Sequence, residues 1–131
     1  EGGGGGGGGD DGVGEYSGMA PAARLAFFDI QDGAHSGLSL PDDLEEGYFP
    51  WAYDRGARVH SNSWGDSSNE YTASSSELDG FVVSHPDLLV LVAAGNDGDA
   101  EEPEGTVGSP ATCKNCLAVG ASQSDERSAV A

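Results

Sequence analysis

The sequence predicts an α/β chain: a three-layer arrangement in which a parallel β-sheet carries helices on its faces. Three observations lead there. From Met19 onward short apolar runs alternate with amphipathic stretches, the strand–helix–strand–helix–strand order of right-handed βαβ crossovers. Residues 88–94, Leu-Leu-Val-Leu-Val-Ala-Ala, are continuously apolar, as expected of a strand covered on both faces of a parallel sheet. At 131 residues the chain supports at most one compact core.

The elements follow in order. Residues 24–30, Arg-Leu-Ala-Phe-Phe-Asp-Ile, are an apolar run with aromatics between Pro21 and Asp32-Gly33, and read as a buried strand. A helix is expected from Pro41 to about Arg55. Ser39 or a neighbour caps it, Pro41 suits its first turn, and the acidic residues 42–46 favour the positive end of its dipole. Leu44, Tyr48, Trp51 and Ala52 share one face, and Gly56 stops the helix. Pro50 within it predicts a kink or a break. Residues 57–63 read as a second strand ending at Trp64-Gly65, and residues 74–84 as a second helix with Leu78, Phe81 and Val82 on one face. His85-Pro86-Asp87 closes that helix. Residues 88–94 form the third strand, Gly95-Asn96-Asp97-Gly98 turns sharply, and residues 116–120 form a fourth strand after an acidic loop.

Residues 1–17 stand apart. Eight consecutive glycines, residues 2–9, bring no side chains to bury and lose the most backbone entropy on ordering, so a flexible loop or linker is expected. A phosphate-binding loop is disfavoured, because nothing strand-like precedes Gly12-Val13-Gly14 and Asp10 and Asp11 adjoin it. Residues 18–131 make up the other unit of the chain, which holds the alternating apolar and amphipathic stretches. Glu1 opens the chain with no Met, basic n-region or apolar h-region, which reads as a fragment without a visible signal peptide.

Charge excludes some partners. Five Lys and Arg against 23 Asp and Glu leave −18, a field that repels phosphate backbones and anionic lipid, so neither nucleic acid nor an anionic membrane is an expected partner. The longest apolar run falls far below the roughly 18 residues a membrane-spanning helix requires.

Four blocks carry a resemblance to a known family. They are Gly18-Met19-Ala20-Pro21-Ala22-Ala23-Arg24-Leu25, Ser61-Asn62-Ser63-Trp64-Gly65, Val92-Ala93-Ala94-Gly95-Asn96, and Thr106-Val107-Gly108-Ser109-Pro110 running into Leu117-Ala118-Val119-Gly120-Ala121. In order and spacing the chain resembles the central part of the catalytic domain of subtilisin-like serine proteases, the subtilases, over about residues 18–123. The resemblance implies an incomplete subtilisin-like fold, a polypeptide substrate, and hydrolysis through an acyl-enzyme. The family's chemistry uses an Asp near its first strand, a His in a His-Gly-Thr-His context and a Ser in a Gly-Thr-Ser-Met context. None of the three stands here in its context, which places nucleophile, base and orienting acid outside these residues.

The resemblance assigns the rest of a site. Asn96 resembles the residue whose side-chain amide stabilises the oxyanion, where a carbonyl oxygen becomes negative in the tetrahedral transition state; the plainer reading is a turn former. Ser63, Trp64 and Gly65 resemble the segment that pairs with extended substrate, against the alternative of a strand end closed by a packed Trp. Ala94, Gly95 and Gly108 look like walls of the primary specificity pocket, and Asp97 lies at its rim, where an acid favours basic or polar substrate side chains.

Other candidates are structural. His35, His60 and His85 lack ligand spacing. Cys113-Lys114-Asn115-Cys116 has no second Cys or His pair for zinc and no thioredoxin-like context, which leaves a short-loop disulfide or two buried thiols. A disulfide fits a secreted protein. The acidic residues 97–104 lack the pattern of an EF-hand and read as a solvated loop, although subtilases commonly carry structural calcium; no cofactor is expected for catalysis. The rival to a protease is an inactive subtilase-fold module that binds peptides or calcium.

Overall fold

In the computed structural model the described residues are 18–31, 33, 37–98 and 105–122. The expected flexible tract, residues 1–17, lies outside them, as do His35 and residues 99–104 of the acidic loop. The elements run α1 (Leu44–Gly47), α2 (Phe49–Tyr53), β1 (Val59–Asn62), α3 (Ala73–Ser84), β2 (Leu89–Ala93) and β3 (Leu117–Val119). The strands form one sheet in the order β1-β2-β3, parallel throughout, with Val59 beside Leu89 and Leu91 beside Leu117. α3 is the crossover between β1 and β2, as the alternation of patterns predicts.

Strand periodicity sorts the side chains onto two faces. His60, Asn62, Val90 and Val92 point to one face and are buried there, in a core shared with Leu44, Phe49, Leu78 and Phe81 of the three helices and with Tyr48 between the first two. Phe49 stacks on Phe81 with ring centroids 5.5 Å apart, which joins α2 to α3. The opposite face carries Val59, Leu89, Leu117 and Val119, all exposed. Two of the three expected layers are thus present among the described residues. Here the continuous apolar run of residues 88–94 does not mean cover on both faces, since in β2 buried Val90 and Val92 alternate with exposed Leu89 and Ala93 and half-buried Leu91.

Two expectations are corrected. Residues 24–30 do not form a strand. Only Phe28, edge-on to the Tyr48 and Trp51 rings, and Ile30 pack against the core, while Leu25 is 92% and Phe27 81% exposed. Among the described residues no element covers the second side of this segment, so burial supplies no force to hold it in the sheet. Just beyond it, Gln31 forms an isolated antiparallel bridge with Leu38.

The helix expected from Pro41 to about Arg55 is two short helices. They meet at Tyr48, and Pro50 occupies the first turn of α2, where its missing N–H costs no intrahelical bond. The break therefore precedes the proline. Asp43, not Ser39, caps α1 by accepting a 2.9 Å hydrogen bond from the Glu46 N–H. Glu77 of α3 accepts from the Leu44 N–H at 3.0 Å, so α3 caps the other helix as well as packing on it. Gly56 adopts φ +91° just beyond α2 and takes the left-handed turn that stops it.

Candidate functional site

The carboxyl ends of β1 and β2 open onto a shared cleft, the usual place for a site in a parallel sheet. The chain leaving β1 supplies Ser63, Trp64, Gly65, Asp66 and Ser67, and the chain leaving β2 supplies Gly95, Asn96 and Asp97. Gly108 and Ser109 close the third side of a cavity of about 360 Å3.

Glycines let these walls touch. A Cβ on Gly65 would lie 2.6 Å from the Ser109 carbonyl oxygen, and one on Gly108 would collide with the Asp66 carbonyl oxygen. The two backbones also bond directly: the Asp66 N–H donates to Ser109 O at 2.9 Å, and the Ser109 N–H donates to Ser68 O at 2.8 Å. Gly108 in turn donates to Ala94 O at 3.0 Å, and Ala94 donates to Val119 O at 3.0 Å. Gly95 turns the chain out of β2 with φ +114°, a conformation a side chain resists. The Gly108–Ser109 wall is therefore tied to both neighbouring walls through main chain alone.

Asn96 stands exposed at the mouth, and its amide has no hydrogen-bond partner among the described residues. Such an amide can donate to an anion in the cavity without first breaking a protein bond. Asp66 and Asp97 face the same cavity, with no cationic side chain among its lining residues. Asp66 accepts from the Ser68 N–H at 2.8 Å, which shapes its loop.

Trp64 is held from below by buried polar groups. Its indole Nε1–H donates to Tyr48 Oη at 3.1 Å, Tyr48 donates to Asn62 Oδ1 at 3.1 Å, and Asn62 Nδ2–H donates to Leu91 O at 3.1 Å. Asn62 is only 2% exposed. Burial raises the Tyr48 pKa, and the bond from Trp64 partly opposes this. The hydroxyl thus stays protonated and keeps its place as donor to Asn62.

Of the residues read from the sequence, the structure brings Ser63, Trp64, Gly65, Gly95, Asn96, Asp97 and Gly108 to one cavity. Ala94 is set behind the lining, with both main-chain groups bonded, and Ala93 lines the cavity instead. Asp66, Ser67 and Ser109 are lining residues that sequence reasoning missed. The Gly65 and Gly108 pair was the available signal, since two glycines in facing loops invite close approach of whatever adjoins them.

The other candidates fall elsewhere. His60 packs in the core between the rings of Tyr48 and Phe49, its Nδ1 without a hydrogen-bond partner among the described residues. Desolvation lowers its pKa, and Asn62 partly opposes the shift. His85 ends α3 with Nδ1 2.8 Å from Phe81 O and its ring stacked on Phe81. Cys113 and Cys116 are joined in a disulfide, Cα atoms 5.9 Å apart. Among the described residues no group of His, Cys, Asp or Glu side chains is placed to hold a metal ion, and no helix is long and apolar enough to cross a membrane.

Comparison with known proteins gives one family. The model of the subtilase family matches residues 3–131. Among curated proteins the chain is 37% identical over 122 residues to the serine protease/ABC transporter B family protein tagD of Dictyostelium discoideum, covering 88% of this chain and 6% of that protein. It is 36% identical over 116 residues to tagB and 37% identical over 115 residues to tagA of the same organism, covering 85% and 86% of this chain. The chain spans 6% of the length of each of these relatives.

Proposed function

Because the chain belongs to the subtilase family, we propose that it forms the substrate-binding and oxyanion-stabilising part of the catalytic domain of a secreted serine endopeptidase. The observation that carries this reading is the convergence of Ser63–Gly65, Gly95–Asp97 and Gly108–Ser109 on one cavity at the carboxyl ends of β1 and β2.

The geometry supports the following division of labour. Extended substrate lies along the Ser63-Trp64-Gly65 segment, where Gly65 admits a close backbone approach and main-chain bonds bind without reading sequence. The side chain preceding the scissile bond enters the cavity beside Gly95 and Gly108, with Asp66 and Asp97 lending negative charge to its mouth. As the nucleophile adds to the carbonyl, the electron pair of the C=O bond moves to oxygen, and the Asn96 Nδ2–H donates to that oxygen. Collapse of the tetrahedral species breaks the C–N bond, the amine leaves protonated, and water then hydrolyses the acyl-enzyme. The Ser nucleophile, the His base and the orienting Asp come from polypeptide outside these 131 residues. The disulfide supports secretion, since such bonds persist in oxidising compartments.

The test uses the complete protein that carries this segment. Peptide hydrolysis together with covalent labelling of a serine outside residues 1–131 by a fluorophosphonate probe is the expected result. Peptide binding without hydrolysis or labelling would replace this reading with an inactive binding module.

A further inference from the structure

α3 does more than cross the sheet: its buried polar side chains hold the loop that begins at the cleft wall. Asp79 is 7% exposed, yet it bears a carboxylate. Its oxygens accept from the Lys114 N–H at 3.0 Å each, from the Asn115 N–H at 2.7 Å and from the Tyr71 hydroxyl at 2.8 Å. The Asn115 side chain returns to the Asp79 carbonyl oxygen at 3.5 Å, and the Lys114 ammonium sits 4.3 Å from the centre of the Tyr71 ring. All of these contacts fix the Lys114-Asn115 turn inside the disulfide loop.

The same loop is bound to α3 one turn earlier. Ser75 Oγ lies 2.8 Å from Thr112 Oγ1 and 3.3 Å from Ser109 Oγ, and Ser109 Oγ lies 2.5 Å from Thr72 Oγ1. Between these tethers the backbone is turned on itself, with Ala111 donating to Gly108 O at 2.9 Å and Cys113 donating to Pro110 O at 3.0 Å. These successive turns connect the Lys114-Asn115 turn to Gly108 and Ser109, which close the cavity.

We propose that Asp79 is a positioning residue of the proposed protease site: by gathering the Lys114 and Asn115 N–H groups it sets where the Gly108–Ser109 wall stands. The proposal rests on the reading of this cavity as a substrate pocket. A carboxylate suits the task because it only accepts, whereas an amide has one acceptor oxygen and would turn its own N–H donors toward the loop N–H groups.

The experiment uses the complete protein with Asp79→Asn, titrating active serines with an acylating probe so that rates are expressed per active site. Backbone amide exchange at Lys114 and Asn115 should quicken in the variant. For peptides with a bulky residue before the scissile bond, KM should rise about tenfold with kcat within about twofold, and for peptides with Gly there the change should be smaller. A purely structural Asp79 would lower the number of titratable sites and leave KM per site unchanged, which would overturn the proposal. If Asp79→Asn yields no titratable sites, Tyr71→Phe, which removes one donor, decides: a rise in KM of about twofold to tenfold supports the proposal, and a parental KM overturns it. A complete protein that neither hydrolyses peptides nor titrates overturns the protease reading and the proposal together. An active protein whose variants keep the parental KM overturns the proposal alone.

Discussion

Replacing Tyr48 with Phe removes one oxygen and breaks the polar chain beneath the cleft. Two bonds are lost, from Trp64 Nε1–H and to Asn62 Oδ1, both 3.1 Å long. The two ends fare differently. Trp64 is half-buried and its indole N–H can regain water, so that end costs at the low side of about 0.5–1.5 kcal/mol. Asn62, 2% exposed, keeps its bond to Leu91 O but strands its Oδ1, and an unsatisfied buried acceptor costs about 1–3 kcal/mol. Together they lower the cost of any opening that exposes Asn62 by about 1.5–3.5 kcal/mol. In the complete protein, hydrogen exchange of β1 and β2 amides through such openings should quicken roughly 10- to 300-fold, at about 1.4 kcal/mol per tenfold. Tyr48→Phe combined with Asn62→Leu should recover part of the loss, because replacing both partners leaves fewer stranded groups. Exchange in Tyr48→Phe within about threefold of the parent would show that the chain of bonds does not hold β1 and Trp64 as argued.

Gly108→Ala should abolish titratable active sites or raise KM sharply, because the new Cβ meets the Asp66 carbonyl oxygen, and parental kinetics would contradict the close packing of the two walls. Leu78→Ala, at a fully buried position where α3 meets the core, should cost about 2–5 kcal/mol, read as a lower midpoint of urea-induced loss of active sites. Burial lowers the folded-state pKa of His60 from 6.5, so the unfolded chain binds the proton first as pH falls. The stability tied to neutral His60 is complete above about 6.5 and is lost as pH falls through the lower folded value; His60→Phe should flatten that part of the profile, and superimposable profiles would refute the assignment.

Much of the fold is legible in local pattern. The twelve residues of α3 and the apolar run of β2 are long enough for periodicity to speak, and both stand within a residue of where the pattern puts them. Residues 24–30 fail for a physical reason: an apolar run states that a segment needs cover, not that cover is present, and only Phe28 and Ile30 find it. Pro50 misplaces the helix break because a proline in a first turn is harmless, a distinction that depends on where the helix starts. At the site, the motifs mark Trp64, Gly65, Asn96 and Gly108, while Asp66 and Ser109 enter through backbone bonds, and Asp79 reaches the adjoining loop through its carboxylate, in each case between residues far apart in the chain. Such bonds leave no periodic trace in a sequence.

The central claim is that Asn96 donates to a developing oxyanion. Its most direct test is kcat of the complete protein with Asn96→Ala and Asn96→Gly, per titrated active site and with folding checked by circular dichroism. The claim predicts that both variants lose about 10²–10³ in kcat, roughly 2.7–4 kcal/mol, with KM nearly unchanged; this size is the one known for the oxyanion-hole asparagine of subtilisin. A folded Gly variant that keeps parental kcat would make Asn96 a turn former and remove it from the mechanism.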